Sequence, residues 1–420
     1  MTPTELNHAI EALERCLDFS RPADVQLSAF FRDYPKLGGR ERGLVAEAVY
    51  GVLRRLRTLE FLARGDKPRA TPRRLVIAWL ARFGGHNLRE LEPLVGRSDI
   101  EWLRGIKGAD LGGLSAAEAL DLPDWLHERL AAQYGDELPA LMAALNAPAP
   151  LDLRVNVAKL SRDEALSALA AGGLAAAPTP YSPLGLRMQG KPALQKHPLF
   201  LDGSLEVQDE GSQLLGQLLA PRRGEMVCDF CAGAGGKTLL LGALMRNSGR
   251  LYAFDVSEKR LAKLKPRLAR SGLSNVQAQV LASERDAKVK RLAGKFDRVL
   301  VDAPCSGLGT LRRNPDLKWR QTPDSLAELT AKQAAILDSA SRLAKPGGRL
   351  VYATCSLLTE ENETVVSAFL AAHPEFRLLP AGEVLAAQRI ELAAGDFLRL
   401  DPAHHATDGF FAAVLERAAT

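Results

Sequence analysis

The chain has 420 residues, enough for two or three domains that each bury a core. Its apolar fraction of 46% and charged fraction of 25% are ordinary for a globular protein, and no run approaches about 18 uninterrupted apolar residues, which excludes a membrane-spanning helix. The net charge of +5 is a weak sign of a nucleic-acid partner. Five cysteines, an odd number with no signal-peptide pattern ahead of them, predict reduced thiols and a cytoplasmic protein.

The first part of the chain, residues 1–145, has the periodicity of helices. Apolar residues recur at three- and four-residue spacing between Leu44 and Leu59, which predicts one amphipathic helix there. Five basic residues lie on or beside that helix: Arg40, Arg42, Arg54, Arg55 and Arg57. Charge alone leaves two interpretations open, a solvated cationic face and an RNA-contacting patch.

The pattern changes at Pro148 and Pro150, which predict a break between domains. For residues 146–220 we predict a small mixed α/β segment that contacts RNA. Residues 221–420 alternate short apolar β-type runs with helical stretches, which is typical of a doubly wound, mainly parallel sheet. The terminal DGFFAAVLERAAT predicts a last strand that pairs antiparallel at the edge of this sheet.

A glycine-rich turn follows the first predicted strand of that region, Met226–Phe230, and precedes a helix, so its amides are placed to meet a ligand. The turn consists of Cys231, Ala232, Gly233, Ala234, Gly235, Gly236 and Lys237. Cys231 stands where a Walker A loop needs glycine, and Thr238 where a dinucleotide fingerprint needs one, so neither ATP nor NAD is favoured. Asp255, at the end of the second strand, suits the hydroxyls of a ribose. The alternative for Asp255 is a helix N-cap, for which Ser257 is better placed.

Two cysteines follow neighbouring strands of the predicted sheet. Asp302 and Cys305 lie in VLVDAPCSG, and Cys355 lies in RLVYATCS, so both thiols are expected at one edge of the sheet beside a nucleoside. A thiolate that adds to carbon 6 of a pyrimidine makes carbon 5 nucleophilic, while an acid such as Asp302 contacts the ring nitrogen. Buried structural cysteines are the alternative. The Cys228 and Cys231 pair has no partner pair, so no metal is expected.

Downstream of Cys305, a basic segment surrounds one tryptophan. Its members are Arg312, Arg313, Lys318, Trp319 and Arg320. Cations beside an aromatic ring suit phosphate contact and base stacking, which predicts an RNA-binding loop; an ordinary basic loop is the alternative.

Taken together, DFCAGAGGKT, DAPCSGLGTLRRNPDLKW, YATCS followed by EEN, VQDEGSQL and DGFF resemble the Nol/Nop/Sun family of RNA 5-methylcytosine methyltransferases. The resemblance covers roughly residues 145–420. Residues 1–145, especially GGRERGLVAEAVYGVLRRLR, look like the NusB-like RNA-binding domain of the family's bacterial ribosomal member. The resemblance implies a Rossmann-like class I methyltransferase sheet over residues 221–420.

Roles for single residues also follow from the resemblance. It implies that Cys355 is the nucleophile and that Cys305 assists product release, an order that the strand argument leaves open. It places Lys237 near the reacting centre, with Asp302. The cofactor implied is S-adenosylmethionine, contacted by Cys231, Ala232, Gly233, Ala234, Gly235, Gly236, Lys237, Asp255 and Asp302.

The sequence departs from the family pattern at two places. The family loop usually has Ala-Pro where this chain has Gly233-Ala234, which predicts a looser backbone. The family also tends to have an acid beside the adenine after the third strand, where an ungapped comparison puts Ser283, with Glu284 and Asp286 close behind.

The leading hypothesis is a methyltransferase acting on cytosine in small-subunit ribosomal RNA. A transfer-RNA cytosine-5 methyltransferase and a weakly catalytic RNA-binding ribosome-assembly factor are the alternatives. We expect RNA as partner, no DNA, no membrane, no metal, and a monomer.

Overall fold

The computed structural model describes residues 1–65 and 69–419 and divides into two compact units. One unit comprises residues 1–148 and 310–323, and the other comprises residues 149–309 and 324–420. The three-domain boundaries predicted near residues 145 and 220 stay predictions, and residues 66–68 and 420 of those ranges lie outside the described part. Among the described residues, no helix is both long and apolar enough to cross a membrane.

The first unit is helical and has its own apolar core. Its helices are α1 Pro3–Cys16, α2 Ala23–Asp33, α3 Gly39–Arg54, α4 Leu56–Arg64, α5 Pro72–Arg82, α6 Leu88–Leu91, α7 Ile100–Ile106, α8 Ala116–Ala119, α9 Asp124–Tyr134 and α10 Leu138–Leu145. Leu6, Phe30, Val49 and Ile77, from α1, α2, α3 and α5, are almost fully buried in this core.

The single helix predicted between Leu44 and Leu59 is wrong, because α3 ends at Arg54 and α4 begins at Leu56. The apolar stripe continues across the break because both helices pack on the same core. The periodicity of the sequence therefore gives no sign of the break. The arginines at the break are used inside the unit: Arg57 donates to Leu122 O at 2.8 Å, and Arg55 lies 3.5 Å from buried Asp121. These contacts favour a structural role for them over an RNA-contacting patch.

The second unit begins with a small four-stranded antiparallel sheet whose strand order is β2-β3-β1-β4. Its elements are β1 Asp152–Val155, α11 Arg162–Ala171, β2 Ala176–Pro178, β3 Gly185–Met188, α12 Pro198–Leu201 and β4 Leu205–Val207. The side chains of Leu153, Leu169 and Leu186 form the centre of its core.

The larger part of the second unit is an eight-stranded sheet covered by helices. The helices and strands of this part of the chain are α13 Glu210–Leu219, β5 Met226–Asp229, α14 Gly236–Leu244, β6 Arg250–Asp255, α15 Glu258–Leu261, α16 Leu264–Ser271, β7 Val276–Val280, α17 Ala287–Arg291, β8 Phe296–Asp302, α18 Leu317–Arg320, α19 Pro323–Ser341, β9 Ala344–Thr354, α20 Glu363–Ala372, β10 Phe376–Leu379, α21 Ala381–Ala387, β11 Phe397–Leu400, α22 Pro402–His405 and β12 Phe410–Arg417. One of them, α18, belongs to the helical unit.

Strands β7, β6, β5, β8 and β9 are parallel and adjacent in that order, which confirms the doubly wound sheet. Strand β12 pairs antiparallel with β9, as predicted for the last strand. Its predicted place at the sheet edge is wrong, because β10 and β11 both pair with β12 as well. Those two strands are only four residues long and gave no clear β signal of their own.

Residues 310–323, which the sequence analysis placed in the sheet domain, belong to the helical unit. Lys318 of α18 is fully buried there, and its Nζ donates to Arg54 O at 2.9 Å and to Asn146 Oδ1 at 3.2 Å. The indole N–H of Trp319 donates to Leu53 O at 2.8 Å. The prediction that Lys318 binds RNA is therefore wrong, because its side chain is fully buried in contacts within the protein. Trp319 is half-buried, and its contact with RNA stays a prediction.

Candidate active site

The carboxyl ends of β5, β6, β8 and β9 open onto one cavity of about 520 Å³. Parallel strands bring their carboxyl ends to one edge of a sheet, so residues far apart in sequence meet there. The cavity is lined by the loop after β5, by Asp255 after β6, and by Asp302, Cys305 and Cys355 after β8 and β9.

The loop after β5 turns sharply into α14 through two glycines with positive φ, Gly233 at +56° and Gly235 at +83°. A Cβ atom at Gly235 would lie 2.2 Å from Leu264 Cδ1, a distance that carbon atoms do not tolerate. Glycine is thus required at this position both for its backbone conformation and for space.

The loop is held from outside by two arginines. Arg267 donates to Ala234 O at 2.6 Å, and Arg154, a fully buried residue of β1, donates to Gly236 O at 2.7 Å. The Gly233 amide donates to a carboxylate oxygen of Asp255 at 2.8 Å. The looser backbone expected from Gly233-Ala234 stays a prediction, and these hydrogen bonds from neighbouring side chains oppose it.

Asp255 is buried at the end of β6 and already accepts three hydrogen bonds. Besides the Gly233 amide, its other oxygen accepts from Ser257 N at 2.7 Å and from the Arg260 guanidinium at 2.9 Å. The cap of α15 is Ser257, whose hydroxyl accepts from Arg260 N, so Asp255 is not the cap. A carboxylate has about four acceptor sites, and a ribose diol at Asp255 would therefore replace the half-exposed Arg260 side chain.

Lys237 and Asp302 form an ion pair in the cavity, with 2.6 Å between Nζ and Oδ2. Burial by itself would lower the pKa of Lys237, but the attraction of the Asp302 carboxylate outweighs it, so the pKa of the lysine lies above its usual value. The ammonium is therefore charged at neutral pH and fixes the orientation of Asp302.

The sulfur atoms of Cys305 and Cys355 lie 3.4 Å apart and both residues line the cavity. The hydrogen bond with Cys355 and then burial raise the pKa of the Cys305 thiol well above its usual value. The two thiols therefore share one hydrogen bond, in which either sulfur can be the donor.

Two of the residues predicted to contact the cofactor lie elsewhere. Of the residues that the structure describes, Glu284 rather than Ser283 lines the cavity, and Gly235 supports the loop from behind. The Ser283 hydroxyl instead accepts from Arg285 N at 3.2 Å. Asp286 is the N-cap of α17 and accepts from Lys288 N at 2.8 Å. An ungapped comparison could not resolve a one-residue difference in this loop.

Sequence analysis missed Asp229, the last residue of β5, which is fully buried and lines the cavity. Its Oδ2 accepts from the Thr238 hydroxyl at 2.7 Å, while its Oδ1 has no hydrogen-bond partner in the described part of the chain. Burial, the largest cause, raises the pKa of Asp229 to about 7. An acid directly before a glycine turn, inside an apolar strand, was the signal available in the sequence.

The Cys228 and Cys231 thiols differ in exposure to the cavity although both contact the same apolar core. Cys228 is fully buried in the sheet core, whereas Cys231 lines the cavity. Within the described ranges there is no group of three or more His, Cys, Asp or Glu side chains that could hold a metal ion.

A mainly parallel sheet with antiparallel β12 beside β9, a glycine turn after β5 and an acid at the end of β6 are the features of a Rossmann-like methyltransferase fold. Comparison with known proteins agrees. Residues 216–416 match the family described as 16S rRNA methyltransferase RsmB/F, and residues 122–195 match the ferredoxin-like domain of RsmF/B-like methyltransferases.

Individual relatives cover nearly the whole chain. The probable ribosomal RNA small subunit methyltransferase B of Synechocystis is 35% identical over 94% of this chain and 95% of its own length. The ribosomal RNA small subunit methyltransferase B of Vibrio cholerae is 33% identical over 90% of both. The crystal structure of PH0851 superposes with a TM-score of 0.80 at 28% identity and covers 99% of each chain.

The chain belongs to the RsmB/F family of methyltransferases. This family uses S-adenosylmethionine, and the cavity fits that cofactor in three respects. The glycine turn admits a ligand close to the backbone, the Asp255 carboxylate at the end of β6 suits a ribose diol, and the Asp229 oxygen that has no partner among the described residues suits an ammonium group.

Proposed function

We propose that this protein transfers a methyl group from S-adenosylmethionine to carbon 5 of a cytosine in small-subunit ribosomal RNA, through a covalent bond between Cys355 and carbon 6. The observation that carries the proposal is the pair of sulfur atoms 3.4 Å apart, in the same cavity as the glycine turn and Asp255. The RNA class is taken from the relatives, which are named for the small ribosomal subunit.

The residues that would hold the cofactor are the turn 231–237, Asp255 and Asp229, with Glu284 replacing Ser283 beside the adenine. When bound, the cofactor supplies an electrophilic methyl group on a positively charged sulfur. Asp229 and Asp255 both face the cavity, so a cationic ligand gains from each carboxylate once it is ionised.

Cys355 is the proposed nucleophile, and Cys305 the group that assists release. The two sulfurs lie 3.4 Å apart, and Cys355, once its thiol proton has gone to solvent, is the thiolate proposed to attack carbon 6. The new carbon–sulfur bond moves electron density onto carbon 5, which then takes the methyl group. Once the carbon 5 proton leaves to a base that Cys305 governs, the double bond re-forms and Cys355 departs as a thiolate.

Asp302 is proposed to contact the ring nitrogen of the cytosine. The Lys237 ammonium, 2.6 Å from Asp302 Oδ2, holds that carboxyl group and is a proton source as negative charge reaches the ring nitrogen. A ring nitrogen that gains a proton makes carbon 6 more electrophilic, so this ion pair assists attack by Cys355.

The two cysteine roles predict opposite behaviour of two variants. Cys305→Ala should form the bond to RNA but fail to break it, and a protein–RNA adduct should survive a denaturing gel; Cys355→Ala should show no adduct and no methyl transfer. Ribosomal RNA from a strain that lacks the protein, incubated with radiolabelled S-adenosylmethionine, is the substrate for the test. An adduct that forms with Cys355→Ala and not with Cys305→Ala would reverse the assignment.

Two further measurements, bisulfite sequencing and binding, separate the alternative functions. Bisulfite sequencing of small-subunit ribosomal RNA, with and without the protein, should show one protected cytosine. Protection in transfer RNA alone would favour a transfer-RNA enzyme. Tight binding of both RNA and cofactor without incorporation would favour an assembly factor, a function for which the firmly held glycine turn gives no support.

A further inference from the structure

The residue that follows each cysteine is a buried serine, and both serines donate to one carboxylate. Ser306 follows Cys305, Ser356 follows Cys355, and the carboxylate is that of Glu361. The Ser306 hydroxyl lies 2.5 Å from Glu361 Oε2, the same oxygen that accepts from the Ser356 hydroxyl, and the two hydroxyl oxygens are 3.1 Å apart.

Glu361 also binds the backbone of the first cysteine loop. Its Oε1 accepts from Ser306 N at 2.8 Å and from Gln333 Nε2 at 2.9 Å, and Gln333 Nε2 is in addition 3.0 Å from Pro304 O. A carboxylate has about four acceptor sites, and here four donors use them. Because Glu361 is fully buried, these hydrogen bonds are shielded from water and fix the loop firmly.

The next residue, Asn362, secures the second cysteine loop in the same way. Its side-chain oxygen accepts from the Thr354 hydroxyl at 2.5 Å, and its amide donates to Ser356 O at 3.1 Å. The Tyr352 hydroxyl donates to Glu361 O at 2.7 Å and ties this pair of residues to β9. Both cysteine loops are thus attached to one short segment, 361–362.

We infer that Glu361 is a positioning residue, whose carboxylate holds Ser306 and Ser356 together and thereby sets the contact distance between the Cys305 and Cys355 sulfurs. Neither the cofactor nor the RNA base needs to touch Glu361 for this role, since it is not among the described residues that line the cavity. Backbone contact adds to this link at one point, since the Gly309 amide donates to Cys355 O at 2.8 Å, but β8 and β9 themselves end at Asp302 and Thr354, before either cysteine.

A trivalent arsenical tests the distance directly, because it bridges two thiols only when their sulfurs are in contact. Wild-type protein should retain phenylarsine oxide in intact-mass spectra, and Cys305→Ser should lose it, which identifies the pair. Glu361→Gln replaces an acceptor by a donor facing the serine hydroxyls and should lose the bridge. Single alkylation of Cys355 by iodoacetamide should persist in that variant, since each thiol still lines the cavity.

Glu210→Gln is a matched control, because Glu210 is equally buried and its Oε1 accepts from Tyr181 N and Ser182 N, far in sequence from both cysteines. It should keep the bridge. Arsenical retention by Glu361→Gln equal to that of Glu210→Gln would overturn the inference. Should Glu361→Gln fail to fold, the double change Ser306→Ala with Ser356→Ala removes only two hydroxyls, and the same criterion applies to it.

The inference rests on the proposed function only for its consequence in catalysis. In catalysis, Glu361→Gln should lower the rate of methyl transfer roughly 10- to 100-fold, the range found when groups that orient the ligands of a metal ion are removed. Its dissociation constant for S-adenosylmethionine should stay that of the wild type. The arsenical assay needs no RNA, so a wild-type protein that bridges arsenic but transfers no methyl group would count against the proposed function alone.

Discussion

At the scale of single residues, the site depends on unequal surroundings of chemically similar groups. The hydrogen bond with Cys355 and burial raise the pKa of the Cys305 thiol well above its usual value. Three of the carboxyl groups that line the cavity have different surroundings: Asp302 faces a lysine, Asp255 accepts three hydrogen bonds, and Asp229 has an oxygen without a partner in the described residues. Chemistry is thus assigned by environment rather than by residue type.

Asp229 predicts a pH dependence of stability in the absence of cofactor. Its pKa is about 7 in the folded protein, against about 3.9 when unfolded, so between these values the folded state binds the extra proton. The stabilisation due to Asp229 is present at low pH and is lost as pH rises through 7. Asp229→Asn cannot titrate, so the melting temperature of the wild type relative to this variant should fall between pH 5 and pH 8. Parallel melting curves across that range would contradict the assignment.

At the scale of elements, the glycine turn and α14 function as one piece. The turn directs backbone amides at the start of the helix toward the cavity, and the small sheet contributes Arg154 to hold it. The Arg154 contact therefore supports the turn at Gly233-Ala234, where the family loop usually has Ala-Pro.

Gly235→Ala tests how much stability and cofactor binding depend on the absence of a side chain at this position of the turn. The variant should lose stability by about 1–3 kcal/mol from the positive φ, and more from the clash with Leu264, and its affinity for S-adenosylmethionine should fall. Gly224→Ala is the matched control: its φ of +84° imposes the same backbone strain, with nothing within 4 Å of the added carbon. Thermal melts and calorimetric titration of both variants measure the difference. Equal cofactor affinity in the two would mean that the close approach to Leu264 has no part in binding.

At the scale of the whole molecule, the chain leaves the sheet unit after Gly309 and contributes residues 310–323 to the helical unit. This segment is unusual because it buries the side chain of a lysine. Lys318 is surrounded by acceptors, with Asp121 nearby as the main favourable charge, yet burial outweighs them and lowers its pKa to about 7.

Lys318 predicts a pH dependence of the opposite sign to that of Asp229. The unfolded chain, with a lysine pKa of about 10.4, holds the proton between pH 7 and pH 10 while the folded state releases it, so stability rises with pH over this window. The free energy of unfolding of the wild type relative to Lys318→Met should therefore increase from pH 7 to pH 9, by up to about 1.4 kcal/mol per pH unit. Lys36→Met, at an exposed position of the same unit, controls for the loss of a charge. A difference that stays constant with pH would show that Lys318 is not buried as a titrating group.

The sequence by itself determined the features that depend on local order along the chain. Alternation of apolar runs with helices predicted the doubly wound sheet, and the position of Asp255, Asp302, Cys305 and Cys355 just after strands predicted that they would meet at one edge. These predictions were confirmed because the carboxyl ends of parallel strands must share an edge.

Only the tertiary structure decided the features that depend on contacts between distant segments. These features are the burial of Lys318, the indole hydrogen bond of Trp319 to Leu53, the support of the turn by Arg154, and the bridge that Glu361 makes between the two cysteine loops. The printed sequence shows Lys318 and Trp319 only as a cation beside an aromatic ring, a pattern shared by surface loops and buried anchors. What separates the two is the loss of water around the side chain, which is set by the packing of the whole fold.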